Sequence, residues 1–101
     1  MSEALRIERT GAGQVRIAGV VGFEQAAAAF GRGGELLDDG AADVTVDVSG
    51  LRDVDSATLA LLLAWAAEAA RRNVRLHLAA VPDDLKALAH LCDAEPLLGI
   101  A

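Results

Sequence analysis

The sequence is poor in cysteine and in positive charge, and both shortages exclude classes of protein. It has one cysteine, Cys92, among 101 residues, so no disulfide can form within the chain. Its 15 acidic residues outnumber 9 basic ones, giving a net charge of −6, and the only basic cluster is "ARR" at 70–72. Proteins that bind DNA, RNA or anionic lipid directly need a basic surface. We therefore expect neither a nucleic-acid partner nor direct membrane insertion.

Signal, membrane and cofactor motifs are also missing. The first ten residues lack a basic stretch followed by an apolar run, which would mark a secretory signal peptide. The longest strongly apolar run, 57–67, is shorter than the roughly 20 residues that span a bilayer. The glycines of "GRGG" (31–34) are not followed by the Lys-Ser/Thr of a phosphate-binding loop, and one cysteine with two distant histidines is a poor metal set. We expect a cytoplasmic protein without a cofactor, a metal or an enzymatic activity.

The sequence contains enough aliphatic residues, 53% hydrophobic overall, to fill a core without much help from its three aromatic residues. Alternating and helical patterns predict the order β-β-α-β-α-β-α. The predicted strands are 5–9, 14–20, 43–48 and 74–80, and the predicted helices are 23–30, 56–72 and 82–92. "GRGG" should interrupt the first helical segment, with one further turn within 35–40. The expected fold is a single α/β domain over 1–101, a small mixed sheet of about four strands covered by helices, with a parallel crossover at 43–79.

The helix predicted at 56–72 carries apolar residues on two sides. At 100° per residue, one side should face the sheet, and it collects Leu59, Leu62, Leu63, Ala66, Ala69 and Ala70. The opposite side carries Leu61 and Trp65 in its N-terminal half and charged residues after them. Leu61 and Trp65 either pack under the chain's own loops or form a partner-docking patch, since tryptophan is enriched at interface hot spots. Such a patch would also allow weak self-pairing of the isolated chain.

A compact polar segment, Asp53-Val54-Asp55-Ser56, lies between a predicted strand and this helix. Loops at the carboxyl ends of parallel strands tend to carry function. Three interpretations of Ser56 remain open: a helix cap together with Asp55, a phosphoacceptor at a helix N-terminus, or a neutral contact for a partner. No Glu or Gln lies three residues after Asp55 or Ser56, so we predict no capping box.

Other chemistry-bearing residues form no convincing site. A metal or phosphoryl site at Asp47, Asp53 and Asp55 is possible, but hydrogen bonding within the loop is the favoured role. His77 is expected on the strand surface. His90 and Cys92 are two apart on a predicted helix and should point apart, which disfavours a Cys–His pair, and Cys92 is expected to be at least half-buried.

The combination of these segments resembles the STAS domain family. The strand "VTVDVSGL" is followed by "RDVDSATLALLL", then by a strand and by "V-x-D-x-L-x-x-LA-x-L". The resemblance covers nearly the whole chain and is strongest from Asp43 to Cys92. It implies a mixed sheet that begins with two strands, and a non-catalytic role in binding other proteins.

Two branches of that family fit the segment around Ser56. In anti-sigma-factor antagonists, a partner kinase phosphorylates the serine of "D-S-[SA]-G-L", and Ser56 falls on this position. In the STAS subunit of the Mla phospholipid-transport ABC complex, a Ser or Thr at the same place is implicated in contact with the ATPase. The sequence resembles the second branch more closely, in "LALLLAWAAEAARR" and in its ending "VPDDLKALAHLCDAEPLL".

The resemblance therefore implies a protein partner, an ABC transporter ATPase at the inner face of the inner membrane, with an anti-sigma kinase as the alternative. The predicted partner-binding residues are Asp55, Ser56, Thr58, Leu61 and Trp65, with Ser56 also the candidate phosphorylation site. Thr58 stands where the family usually has glycine. Its bulk puts close approach of a kinase in question.

Overall fold

The alternating residues near the N-terminus form a β-hairpin at one edge of the sheet. The computed structural model describes residues 4–37 and 40–100, and it places β1 at Arg6–Gly11 and β2 at Gln14–Gly19, paired antiparallel. Gly13 makes the turn with a φ of 68°, and a Cβ there would lie 2.7 Å from the carbonyl oxygen of Asp43. The hairpin predicted from the sequence is confirmed, with its turn fixed by a position that only glycine can occupy.

Two further strands complete a mixed sheet in the order β1-β2-β3-β4. β3 is Asp43–Leu51 and β4 is Arg75–Ala79, and both neighbouring pairs, β2 with β3 and β3 with β4, are parallel. β3 continues three residues beyond its predicted end, through a register shift against β2. Gly50 permits this extension because a Cβ there would lie 2.7 Å from the Cβ of Ala18 on β2. The parallel pairing of β3 with β4 was predicted correctly.

Helices follow each parallel strand. They are α1 at Phe23–Phe30, α2 at Gly33–Leu36, α3 at Ser56–Arg71, α4 at Asp83–Leu91 and a 3-10 helix at Pro96–Leu98. The glycines at 31–34 interrupt the first helical segment as predicted, but the second turn starts two residues early, at Gly33. Part of the segment predicted to contain that turn, residues 38 and 39, lies outside the described residues.

The helices cover one face of the sheet. Strand residues on that face are buried: Val15, Ile17, Val44, Val46, Val48, Leu76 and Leu78. On the other face, Arg16 and His77 are exposed and Asp47 is half-buried. The predicted small mixed sheet is therefore confirmed, with its helical layer on one side.

Trp65 lies in the core rather than in an exposed patch. It is 2% exposed, Leu61 is fully buried, and the indole N–H of Trp65 donates to the carbonyl oxygen of Ala29 at 3.0 Å. Gly33 lies against the indole, since a Cβ there would be 2.8 Å from Trp65 Cδ1. The prediction of a docking patch at Leu61 and Trp65 is wrong, because α1 and α2 pack over that side of α3. Self-pairing through these residues loses its basis as well.

The side of α3 that does reach solvent differs from the one predicted. Of the residues assigned to the sheet, Ala70 is exposed, whereas Leu63 and Ala66 are half-buried. The exposed side begins at Ser56 and continues through Ala60 and Ala67. A helix that is apolar nearly all round can be buried on two sides, by the sheet and by neighbouring helices.

Replacing Trp65 with phenylalanine should lower the free energy of unfolding by about 1–3 kcal/mol, because the indole hydrogen bond is lost and the smaller ring leaves space beside Gly33. Urea denaturation followed by circular dichroism measures the change. Leu91→Ala is the matched control, since Leu91 is 80% exposed at the end of α4 and its loss should change stability by less than about 0.5 kcal/mol. A Trp65→Phe variant as stable as the control would contradict the role assigned to the indole.

Candidate partner-binding site

The carboxyl ends of the three parallel strands lie at one end of the sheet, and each leads into a helix. β2 leads to α1, β3 to α3 and β4 to α4. The backbone N–H of Arg52 donates to the carbonyl oxygen of Gly19 at 2.9 Å and joins the first two connections. Because β3 lies between β2 and β4, the segment Asp53–Ser56 is in the middle of this end.

Asp55 rather than Ser56 caps α3. Its backbone is extended, and its Oδ1 accepts hydrogen bonds from the backbone N–H groups of Ala57 at 3.0 Å and Thr58 at 3.1 Å. In return, the backbone N–H of Asp55 donates to the hydroxyl oxygen of Thr58 at 3.3 Å. This reciprocal pair is a capping box, so the prediction that none forms is wrong. The threonine hydroxyl supplies the acceptor that Glu or Gln supplies in the usual pattern.

Thr58 is inside the protein. It is 1% exposed, and its hydroxyl lies 3.3 Å from Asp55 Oδ1. The prediction that Thr58 contacts a partner is therefore wrong, because its side chain is used by the cap. Its bulk, expected from the sequence to hinder close approach of a kinase, is buried and does not cover Ser56, which is exposed.

Ser56 is the first residue of α3 and is exposed. Its hydroxyl is not one of the groups that form the capping box, which engages the Asp55 carboxylate and the Thr58 hydroxyl. Of the five residues predicted to bind a partner, Asp55 and Ser56 reach solvent, whereas Thr58, Leu61 and Trp65 are buried. Of the predicted partner-binding residues, only the N-cap Asp55 and the first helical residue Ser56 are therefore accessible to a partner.

The three aspartates near this loop have separate roles. Asp55 caps α3, Asp53 lies in the loop with a φ of 50°, and Asp47 is on the open face of β3. The pKa of Asp47 is lowered chiefly by a hydrogen bond from the Ser49 side chain, then by the backbone N–H of Ser49, which donates to Asp47 Oδ1 at 2.9 Å, with a smaller contribution from the charge of Arg16. Within the described ranges, no group of three or more His, Cys, Asp or Glu side chains is placed to hold a metal ion.

The histidines lie away from Ser56 in the fold. His77 Nε2 is 3.3 Å from Asp43 Oδ1 on the open face of the sheet, and His90 Nδ1 is 2.9 Å from Glu95 Oε1. Cys92, expected to be at least half-buried, is exposed because α4 ends at Leu91 and Cys92 follows as its C-cap.

Comparison with known families agrees with this architecture. A family model described as "Mlab, STAS domain" matches residues 5–99. The chain belongs to the STAS domain family. STAS domains bind other proteins and are generally not catalytic, so an interaction role follows for this chain.

A solved STAS structure has the same fold. It is titled "Structure of the Anti-Sigma Factor Antagonist SpoIIAA in its Unphosphorylated Form", and it matches with a TM-score of 0.67 over 87% of this chain and 83% of that one. The two sequences are 15% identical, so the similarity concerns the fold. No curated protein sequence matches this STAS domain significantly. None of its described helices has the length and apolar character needed to cross a bilayer.

Replacing Asp55 with alanine should lower the free energy of unfolding by about 1 kcal/mol, because two backbone N–H groups of α3 lose their acceptor. Ser56→Ala, one residue away, is the matched control and should change stability by less than about 0.5 kcal/mol. Urea denaturation of both variants measures how much each of the two residues contributes to the free energy of unfolding. A larger loss in Ser56→Ala than in Asp55→Ala would assign the cap to the serine instead.

The Asp47–Ser49 contact should make part of the stability depend on pH. Because the pKa of Asp47 is lowered in the folded protein, its contribution is present above the unfolded pKa and is lost as pH falls through the folded pKa. Ser49→Ala keeps the backbone N–H donor but removes the side-chain hydrogen bond to Asp47, so it should be less stable than wild type at pH 7, and this difference should shrink at pH 2. Denaturation curves at both pH values measure it, and a difference that persists unchanged at pH 2 would exclude the carboxylate as its source.

Proposed function

We propose that this STAS domain is a non-catalytic cytoplasmic subunit that binds and regulates the ATPase of a phospholipid-transporting ABC complex of the Mla type. The contact is made by Ser56 and Asp55 at the start of α3, and residues 1–101 act as one domain. The observation that carries the proposal is the exposed position of Ser56 beside a cap formed without it. The description of the matching family model as "Mlab" supports this branch of the family.

The cap allows Ser56 to act as a neutral contact, and the aspartate beside it is common to the phosphorylated pattern "D-S-[SA]-G-L". A phosphate dianion at a helix N-terminus is stabilised by free backbone N–H groups. Here the N–H groups of Ala57 and Thr58 already donate to the Asp55 carboxylate. A phosphate on Ser56 would lie next to that carboxylate and would compete with it for the same donors. An unmodified hydroxyl, in contrast, can exchange hydrogen bonds with a partner without disturbing the cap.

The surface beside Ser56 supplies apolar area for such a partner. Between Ser56 and Ala67, α3 has no charged residue, and the interface cores of protein complexes are depleted in charge. Ala60 and Ala67 are exposed, and their small side chains let a partner helix approach closely. Farther along, Leu97 of the 3-10 helix is 66% exposed and lines a groove with Leu63 of α3. These residues take the place of Leu61 and Trp65 in the proposed interface.

Binding of this domain would stabilise the ATPase arrangement by mass action, since a ligand that binds one state preferentially increases its population. The acidic chain is poorly suited to anionic lipid. Its location at the inner face of the membrane would therefore depend on the ATPase.

A tagged pull-down from the native cell, with mass spectrometry of the captured proteins and of the Ser56 peptide, tests the proposal. We expect an ABC ATPase and an unmodified Ser56. A captured serine kinase, together with phosphorylated Ser56, would overturn the proposal and identify the chain as an anti-sigma-factor antagonist.

Ser56→Arg should reduce recovery of the ATPase by about tenfold or more, which corresponds to ~1.4 kcal/mol of binding free energy, because the long charged side chain occupies the contact. Thr10→Arg is the matched control, since Thr10 is exposed on β1 near the hairpin turn, at the opposite end of the sheet. Circular dichroism verifies that both variants fold. Wild-type recovery with Ser56→Arg would exclude Ser56 from the interface.

A further inference from the structure

Phe23 is an aromatic residue with almost no contact to the rest of the chain. It is the first residue of α1, follows the N-cap residue Gly22, and is 86% exposed. Burying such a ring in a partner would remove a large apolar surface from water, which favours association. Aromatic side chains of this kind are typical anchors of protein interfaces.

Phe23 and Ser56 lie at the same end of the molecule. Each begins a helix that follows one of two adjacent parallel strands, and Gly19 at the end of β2 pairs with Leu51 at the end of β3. Since each helix returns the chain to the start of the next parallel strand, α1 and α3 run in the same direction. The exposed ring therefore belongs to the end of the sheet at which the Ser56 contact is proposed.

The hydrogen bond between Trp65 and Ala29 fixes how far α1 is shifted relative to α3 along their common direction. In α1, Ala29 is six residues after Phe23, which is about 9 Å along the helix at 1.5 Å per residue. In α3, Trp65 is nine residues after Ser56, which is about 14 Å. Along the helix direction, the first residues of α1 and α3 are thus offset by about 5 Å. The axes of packed helices usually lie about 8–10 Å apart. One partner surface of ordinary size, about 800 Å², covers both residues.

This end of the sheet is also acidic. Across residues 20–25, 52–57 and 80–85, which form the three connections and helix starts, Arg52 is the only base, and the exposed acids are Glu24, Asp53, Asp55, Asp83 and Asp84. Helix dipoles account for acids in the first turns of α1 and α4. Asp53 has no such role, because it lies in the loop outside the cap. Complementary potentials across an interface then call for a basic partner surface.

We propose that Phe23 is an anchor of the partner interface and inserts into an apolar pocket with a basic rim on the ABC ATPase, beside the Ser56 contact. The proposal rests on the proposed function, because the occupant is the same ATPase. It adds Phe23 of α1 to the contact, and it specifies that the partner surface is an apolar pocket with a basic rim. An interface built from the starts of two helices also fixes the orientation of the partner.

The test uses the purified chain and the ABC ATPase recovered with it, with dissociation constants from calorimetry. Phe23→Ser should weaken binding by about 30-fold, the effect of a hot spot worth 2 kcal/mol. Leu91→Ser is the matched control, because Leu91 is 80% exposed at the far end of α4, and it should bind within about twofold of wild type. Thermal unfolding should be unchanged in both variants, since neither side chain is packed.

A charge pair tests the basic rim separately. Phe23→Glu should bind several-fold more tightly than Phe23→Lys, and this difference should shrink at high salt. Equal binding by these two variants would overturn the basic rim. If wild type binds, Ser56→Arg does not and Phe23→Ser binds as wild type does, the anchor is overturned while the proposed function stands. If wild type itself fails to bind the ATPase, the proposed function fails, and the anchor fails with it.

Discussion

The packing of Trp65 of α3 against α1 and α2 is the constraint on which the rest of the helical layer depends. Its indole N–H is buried and donates to the carbonyl oxygen of Ala29, and a buried donor without a partner would be costly. Gly33 leaves room for the ring at the start of α2. This contact holds α1 and α2 against one side of α3 and fixes the position of α1 along α3. The starts of α1 and α3, at Phe23 and Ser56, therefore lie at the same end of the molecule.

At the start of α3, structural and exposed roles are divided among adjacent residues. Asp55 and Thr58 satisfy the first N–H groups of the helix through a reciprocal pair of hydrogen bonds, and Thr58 is buried in doing so. Ser56 is held in place by this cap without contributing its hydroxyl. A partner that binds or modifies Ser56 would therefore meet a rigid backbone. The same arrangement explains why the bulk of Thr58 is compatible with a contact at Ser56.

The proposed transporter role and the alternative of a phosphorylation switch differ in the charge that Ser56 must carry. A neutral hydroxyl is compatible with the surrounding carboxylates, and a basic partner surface would be attracted to them. A phosphate would add negative charge to an end of the molecule that is already acidic. Because the fold and the aspartate before the serine are compatible with both roles, the identity of the partner and the modification state of Ser56 distinguish them, not the overall architecture.

Alternation, helical spacing and the segment around Ser56 are local patterns, and they were enough to predict the order of strands and helices and the family. Tertiary structure decided which of those residues are accessible. α3 is apolar nearly all round, so periodicity could not show that α1 and α2 bury Leu61 and Trp65. The capping role of Thr58 depends on the extended backbone at Asp55, and the extension of β3 depends on close packing of Gly50 against Ala18 on β2. The contacts of Trp65 and Gly50 join residues far apart in the sequence, so only the folded chain brings them together, whereas the capping box joins residues three apart and escaped a search limited to Glu and Gln.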